Sequence, residues 1–391
     1  MKSDSKLLTA VGLYHFANDG SLAVLPLVLP VIKLKFNLSY TDIGILTGVG
    51  LIVTLLVQIL VSELANRFRA VRVLTLGMTT MLLFSAMMVF VWNYASLLVF
   101  VIGMRIGAAA YHPLGLALVA KRFGNGDIDM AMGVQSSSGD LGVLLAFLTT
   151  GALGVIFDWQ SSFALWGGIC LAAAVVGISF KIGTDESSPC EILVRDAELS
   201  WSDAFHRIGI LIIPLTVGGA GYNILVNYAP LMLQAIYNLE IGQYALIIAL
   251  WVGTGATFTL IFGRISTKFG RGRAIILSYI LVLLSGLLIL FTTNLAITIL
   301  AMFLYGVGLF MTYPALFAYV TESTGGKRSE RAFGIVFTCQ LSGGFVASYL
   351  SGVLSDAYNI RMPFLLLSII AAIALCVTSY YLVKLRSRPS T

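Results

Sequence analysis

The chain is short of charge. Asp, Glu, Lys and Arg make up 11% of its 391 residues, where a soluble domain carries about 25%. Polar stretches are scarce too; the longest is "IGTDESSPCEILVRDAELSWSDAFH" at 182–206. The net charge of +6 is scattered over short loops instead of gathered in a patch, so no nucleic-acid partner is expected. Cysteine is sparse. Cys170, Cys339 and Cys376 fall in apolar runs and Cys190 in the polar stretch, and no spacing suits a disulfide framework or a metal site. No G-x-x-x-x-G-K-S/T loop occurs, which argues against a nucleotide-driven machine. Neither a cofactor nor a metal is expected, nor an enzymatic activity. The period-two alternation of a membrane barrel is missing as well.

Apolar sequence is what the chain has instead, at 58% hydrophobic residues and a mean hydropathy of +0.95. A soluble core cannot absorb that much, so the partner is a lipid bilayer. A span needs about 20 mostly apolar residues. Twelve runs qualify: 7–32, 42–63, 73–92, 96–121, 131–156, 162–181, 207–235, 243–263, 273–293, 295–321, 332–355 and 363–384. In hydrocarbon, continuous apolar runs of this length must be helices. The first run carries His15, Asn18 and Asp19 and no small-residue cleavage pattern follows it, so it reads as a retained helix.

Basic residues orient the spans. With the N-terminus inside, 20 of the 24 Lys and Arg fall in inner loops and tails and 3 in outer loops, leaving Arg105 within a span. Both termini are therefore expected in the cytoplasm, with the protein in the cell (inner) membrane.

The halves repeat at a constant offset of 201 residues. "FNLSYTDIG" at 36–44 matches "YNLEIGQYA" at 237–245, and "YHP" at 111–113 matches "TYP" at 312–314. Gly107 matches Gly308, Gly133 matches Gly334, and Phe163 matches Phe364. The expected fold is all-α: twelve transmembrane helices in two six-helix pseudo-symmetric bundles, 1–181 and 207–391, joined by a cytoplasmic linker at 182–206. Parallel repeats of this kind place a substrate site near the midplane and work by alternating access.

On these features the sequence resembles the major facilitator superfamily. The loop "GRISTKFGRGR" at 263–273 is similar to that family's G-x-x-x-D-R/K-x-G-R/K-R/K signature, with Thr267 at the acidic position. The equivalent "SELANRFRAVR" at 62–72 departs from it at Ser62, Asn66 and Arg69. The resemblance implies gating roles for Arg67, Gly263, Lys268, Gly270 and Arg271, and cavity residues on spans 1, 4, 7 and 10. Within the superfamily, "YHFANDG" at 14–20 with "RIGAAAYHP" at 105–113 resembles the fosmidomycin-resistance-like branch, which implies proton-linked efflux.

Five ionisable side chains lie inside spans, all in the first half: His15, Asp19, Arg105, His112 and Asp140. A charge at bilayer centre costs about 2.5–3.5 kcal/mol, so such groups face a cavity and pair. His15 and Asp19 are spaced i,i+4 and share a helix face. Arg105 and His112 are seven apart and share another. Asp19 with Arg105 is the expected neutralising pair, and Arg105 could also clamp an anion through its planar fork. A static ion pair would explain the same residues. Asp19, His15, His112 and Asp140 are candidates for proton coupling, since the histidines titrate near neutral pH; Asp140 could instead bond to serines in a packing seam. Arg105 and Tyr111, with Asn223, Asn227, Tyr305 and Tyr313 of the second half, are candidate substrate contacts. Pro113 and Pro314 are expected to bend spans 4 and 10 at matched depths. The function expected is proton-coupled efflux of a small anionic or amphiphilic solute by a monomer. Proton-coupled import of a small organic anion is the alternative.

Overall fold

In the computed structural model, residues 3–64, 69–123, 128–180, 200–324 and 330–386 are described. Every regular element among them is helical. The first half holds α1 (Ser3–Lys35), α2 (Tyr40–Leu64), α3 (Ala70–Met87), α4 (Tyr94–Ala108), α5 (Tyr111–Arg122), α6 (Ile128–Ile156) and α7 (Gln160–Ser179). A short helix, α8 (Trp201–Ile208), leads into α9 (Ile212–Tyr237), α10 (Ile241–Phe269), α11 (Arg271–Phe291), α12 (Leu295–Ser323), α13 (Glu330–Ala357) and α14 (Met362–Arg386). Among the described residues, eleven helical segments are long and apolar enough to cross a membrane. One of them is Tyr94–Ala120, which joins α4 to α5. The twelfth long helix, α13, has the 28 residues that a crossing needs but carries Glu330, Arg331 and Asp356 at its ends and a run of serines within. The first part of the expected linker, 182–199, lies outside the described residues, and α8 occupies its far end.

One feature departs from the sequence expectation. Span 4 is not one bent helix. A two-residue turn at Ala109 and Ala110, still with right-handed helical dihedrals, interrupts it, and α5 starts just before Pro113. Proline brings no N–H and crowds the carbonyl of residue i−4, which here is Ala109. Its repeat partner Pro314 instead lies inside the unbroken α12, so the two prolines do not do the same thing to the backbone. By its contacts the chain divides into two compact units. One compact unit comprises Met1–Leu38, Val49–Arg195 and Glu240–Leu246; the other comprises Ser39–Gly48, Asp196–Leu239 and Ile247–Thr391. The starts of α2 and α10 thus change sides. Local contacts explain this. Asp356 of α13 accepts hydrogen bonds from the backbone N–H groups of Tyr40 (2.9 Å) and Thr41 (2.7 Å), which caps α2, while Ile241 and Ala245 pack on Gly154 and Gly151 of α6.

The 201-residue repeat is written into the backbone. Asn37 and Asn238 are repeat partners, and they are the two non-glycine residues with positive φ among those described (49° and 54°). Asparagine tolerates the left-handed region better than most residues. Asn93 caps α4 by accepting from the Ser96 N–H, and its partner Asn294 caps α12 by accepting from the Ala296 and Ile297 N–H groups. Gly107 lies so close to α3 that an added Cβ would come within 2.6 Å of the Gly77 carbonyl oxygen; at Gly308 the same test gives 2.7 Å to the Ser278 carbonyl oxygen. In the first unit α1 packs on α6 and α7, around a core that includes Tyr14, Met78, Tyr111 and Cys170. In the second, α9 packs on α13 around Leu215, Ile275, Tyr279 and Leu316.

Candidate functional site

The ionisable residues of the first unit converge. One helical turn separates His15 from Asp19 on α1, and the His15 Nε2 lies 3.1 Å from the Asp19 Oδ2. The break before α5 brings His112 to the same carboxylate, its Nε2 3.6 Å from Asp19 Oδ1. The Asn18 side-chain amide donates to that Oδ1 as well (2.8 Å). The expected Asp19–Arg105 pair is therefore not what this carboxylate makes; its partners are the two histidines and Asn18. Arg105 lies half-buried along α2, where a Cβ on Gly50 would come within 3.2 Å of its Cγ and Nε. Spacing alone put Arg105 and His112 on one face of a continuous helix, and the break at Ala109 and Ala110 removes that premise.

Two lone pairs do not face each other at 3.1 Å, so one proton lies between His15 and Asp19. The donor atoms of His15, Asp19 and His112 all lie within 4.8 Å of one another. That is near enough to share one small cation. Gln135 of α6 completes the cluster and escaped the sequence reading. The His15 Nδ1 is 2.7 Å from the Gln135 carbonyl oxygen and 3.0 Å from its side-chain Nε2. That Nε2 also donates to the Tyr111 hydroxyl (3.0 Å), which donates to the Val11 carbonyl (3.1 Å). The His15 and Tyr111 rings stack at 4.5 Å. Gly139 permits this, because a Cβ there would stand 2.5 Å from the imidazole. Asp140, next along α6, is exposed and acts electrostatically on both His15 and Asp19. A signal for Gln135 did exist: it is polar, sits in an apolar run and precedes Gly139 by one turn.

Polar candidates of the second unit sit in an aromatic setting. Tyr222, Trp251, Tyr305, Phe310 and Tyr313 form a chain of ring contacts with centroids 5.7–6.2 Å apart. Tyr305 is fully buried. Tyr313 is half-buried, and its hydroxyl donates to the Gly218 carbonyl of α9 (3.0 Å). Asn223 is half-buried and donates back to Gly219 on its own helix (2.9 Å), while Asn227 is buried. Tyr305 and Asn227 are thus closed off from solvent in this conformation.

Of the loop residues, Arg67 lies outside the described residues. Gly263 and Lys268 fall in the last turns of α10, with the Lys268 ammonium 5.5 Å from the Phe269 ring centroid. Gly270 turns the chain between α10 and α11 at φ 83°, a conformation in which glycine alone is unstrained. Arg271 then pairs with Glu322 and stands over the Tyr319 ring at 5.4 Å.

The profile of the Major Facilitator Superfamily matches residues 11–348 and 258–391. The chain belongs to that family. It is 30% identical to "Multidrug resistance protein 2" of Bacillus subtilis (strain 168) over 175 residues, 45% of this chain and 43% of that one. It is 25% identical to the "Probable L-galactonate transporter" of Escherichia coli (strain K12) over 281 residues, 68% of this chain and 61% of that one. The chain thus spans less than two thirds of these relatives' lengths. Among solved structures, a bacterial homolog of the human lysosomal transporter Spinster, inward-facing and unoccupied, superposes with a TM-score of 0.79 at 16% identity, covering all of both chains. The nucleoside transporter NupG gives 0.76 at 14% identity, over 99% of this chain and 100% of that one. The family and the fold are those of multi-pass membrane transporters.

Proposed function

We propose that this chain is a proton-coupled efflux transporter for small anionic or amphiphilic solutes, working by alternating access, with both termini in the cytoplasm and the protein in the cell membrane. The observation that supports it most is the cluster of two histidines on one carboxylate inside spanning helices, with a proton held between His15 and Asp19. A buried pair of this sort takes up and releases a proton at little cost only when access to water changes, which is what coupling requires. Asp140 gives the cluster an exposed carboxylate. The similarity to a multidrug resistance protein and to the fosmidomycin-resistance-like motifs supports outward transport.

Import of an organic anion with protons is the second reading. Arg105, half-buried in a span, supports it, as does the relative named for L-galactonate, a carboxylate. The test is transport in proteoliposomes loaded with a pH-sensitive dye, offering fosmidomycin and L-galactonate as the first two anions. Anion movement against its gradient, coupled to opposite proton flow, supports efflux; co-directional flow supports import. Anion flux with no proton movement would remove both. Asp19→Asn should abolish accumulation driven by a proton gradient while sparing downhill exchange, and full active transport by that variant would remove Asp19 from the mechanism.

A further inference from the structure

Gln135 presents two groups of opposite character to one atom. Its backbone carbonyl oxygen lies 2.7 Å from the His15 Nδ1, and its side-chain amide nitrogen lies 3.0 Å from the same Nδ1. A protonated Nδ1 donates to the carbonyl. A bare Nδ1 accepts from the amide N–H. The amide has a second hydrogen, which goes to the Tyr111 hydroxyl, and that hydroxyl passes its own hydrogen to Val11. Neither form of His15 leaves its own Nδ1 an orphan. This matters because such an orphan costs about 1–3 kcal/mol, enough to lock a buried ring in one form.

We infer that Gln135 is a positioning residue that lets His15 gain and lose a proton at Nδ1 while its Nε2–H stays bonded to Asp19. In the charged form the imidazolium donates from both nitrogens, to the Gln135 carbonyl and to Asp19. On release the Nδ1 proton leaves for solvent, the ring becomes neutral, and the Gln135 amide takes over as donor to Nδ1. The charged and titratable groups around the ring are Asp19 on its own helix, His112 and Tyr111 on α5, and Asp140 on α6. None of these supplies a donor to a bare Nδ1. The inference rests on the proposed role of His15 in proton handling, but its spectroscopic test does not depend on transport.

The chain has three histidines, so ring-nitrogen NMR of the full-length protein in nanodiscs, labelled with ¹⁵N-histidine, is tractable. His206 is exposed and serves as a reference, and a His112→Gln variant assigns the remaining pair. Across pH 5–9, the neutral form of His15 in the unaltered chain should be the Nε2–H tautomer. Finding it as the Nδ1–H tautomer overturns the proposal, whatever any variant does. In Gln135→Leu the carbonyl remains and the donor is gone, so the neutral form loses its partner at Nδ1 and the ring-nitrogen signals of His15 should keep their charged positions to a higher pH. The pH of half-maximal transport should move up with them by about one unit, tenfold in proton concentration. Gln135→Leu with an unchanged His15 midpoint also overturns it. The Nε2–H tautomer in a protein that moves anions without protons would leave the geometry standing and remove the proposed coupling.

Discussion

A single carboxylate collects the ionisable residues of the first unit, and its partners show what spacing can and cannot say. The i,i+4 pair His15–Asp19 was legible because an α-helix fixes that distance. The presence of His112 nearby was legible as composition but not as geometry. Arg105 was assigned to Asp19 because it was the one other permanent charge in reach of a straight helix, yet two histidines and Asn18 occupy the carboxylate instead. Arg105 lies half-buried against Gly50, and the anion-binding role proposed for it is tested by its own substitution. Arg105→Lys keeps the charge and loses the fork that binds a carboxylate or phosphonate through two parallel bonds. It should weaken anion binding about tenfold, or roughly 1.4 kcal/mol, with little change in melting temperature. Calorimetry with fosmidomycin or L-galactonate on purified protein measures the first and a thermal melt the second. Normal binding with an earlier melt would make Arg105 a structural lock.

Helices were legible as elements because each is a long apolar run and hydrocarbon allows no other structure. Their interruptions were not. The turn between α4 and α5 lies where Pro113 crowds the carbonyl of Ala109, and nothing in hydropathy marks it. Close contacts between helices were half legible: the glycines announced tight packing, but which backbone each one faces is set by the fold. Gly107 and Gly308 make the point. Each is pressed against a carbonyl of the preceding spanning helix, Gly77 and Ser278 respectively, at distances no Cβ tolerates. Gly107→Ala and Gly308→Ala should each force the helices apart and destabilise by about 1–3 kcal/mol, and the effects should be similar because the seams are repeats of one another. Thermal unfolding in detergent, followed by the loss of monodisperse protein, reads this. Gly133→Ala is the control, since a Cβ there meets nothing within 4 Å, and its melt should be unchanged.

At the scale of the whole molecule, one repeat has been put to two chemical uses. The offset of 201 residues survives in backbone detail: the left-handed asparagines, the asparagine caps and the glycine seams all recur. The side chains at the equivalent positions of α5 and α12 do not. His112 reaches a carboxylate in a cluster with another histidine, while Tyr313 sits among aromatic rings and ties its hydroxyl to α9. The five ionisable groups within spans all belong to the first half, so the proposed proton chemistry has one home in the sequence and neutral polar contact another. That asymmetry was legible from the sequence; the bonds that give it meaning were not. Two substitutions at repeat-equivalent positions test it. An imidazole can change charge in the working range, whereas a tyrosine hydroxyl in an apolar setting does not. His112→Ala should therefore shift the pH dependence of transport, because Asp19 loses one of the two groups that balance its charge. Tyr313→Phe should leave the pH profile where it is and raise the apparent KM a few-fold, as expected for a lost hydroxyl worth about 0.5–1.5 kcal/mol. Initial rates from pH 5.5 to 8.5 at several concentrations of one transported anion separate the two effects. The reverse pattern, with Tyr313→Phe moving the pH profile and His112→Ala moving only KM, would end this division of labour between the halves.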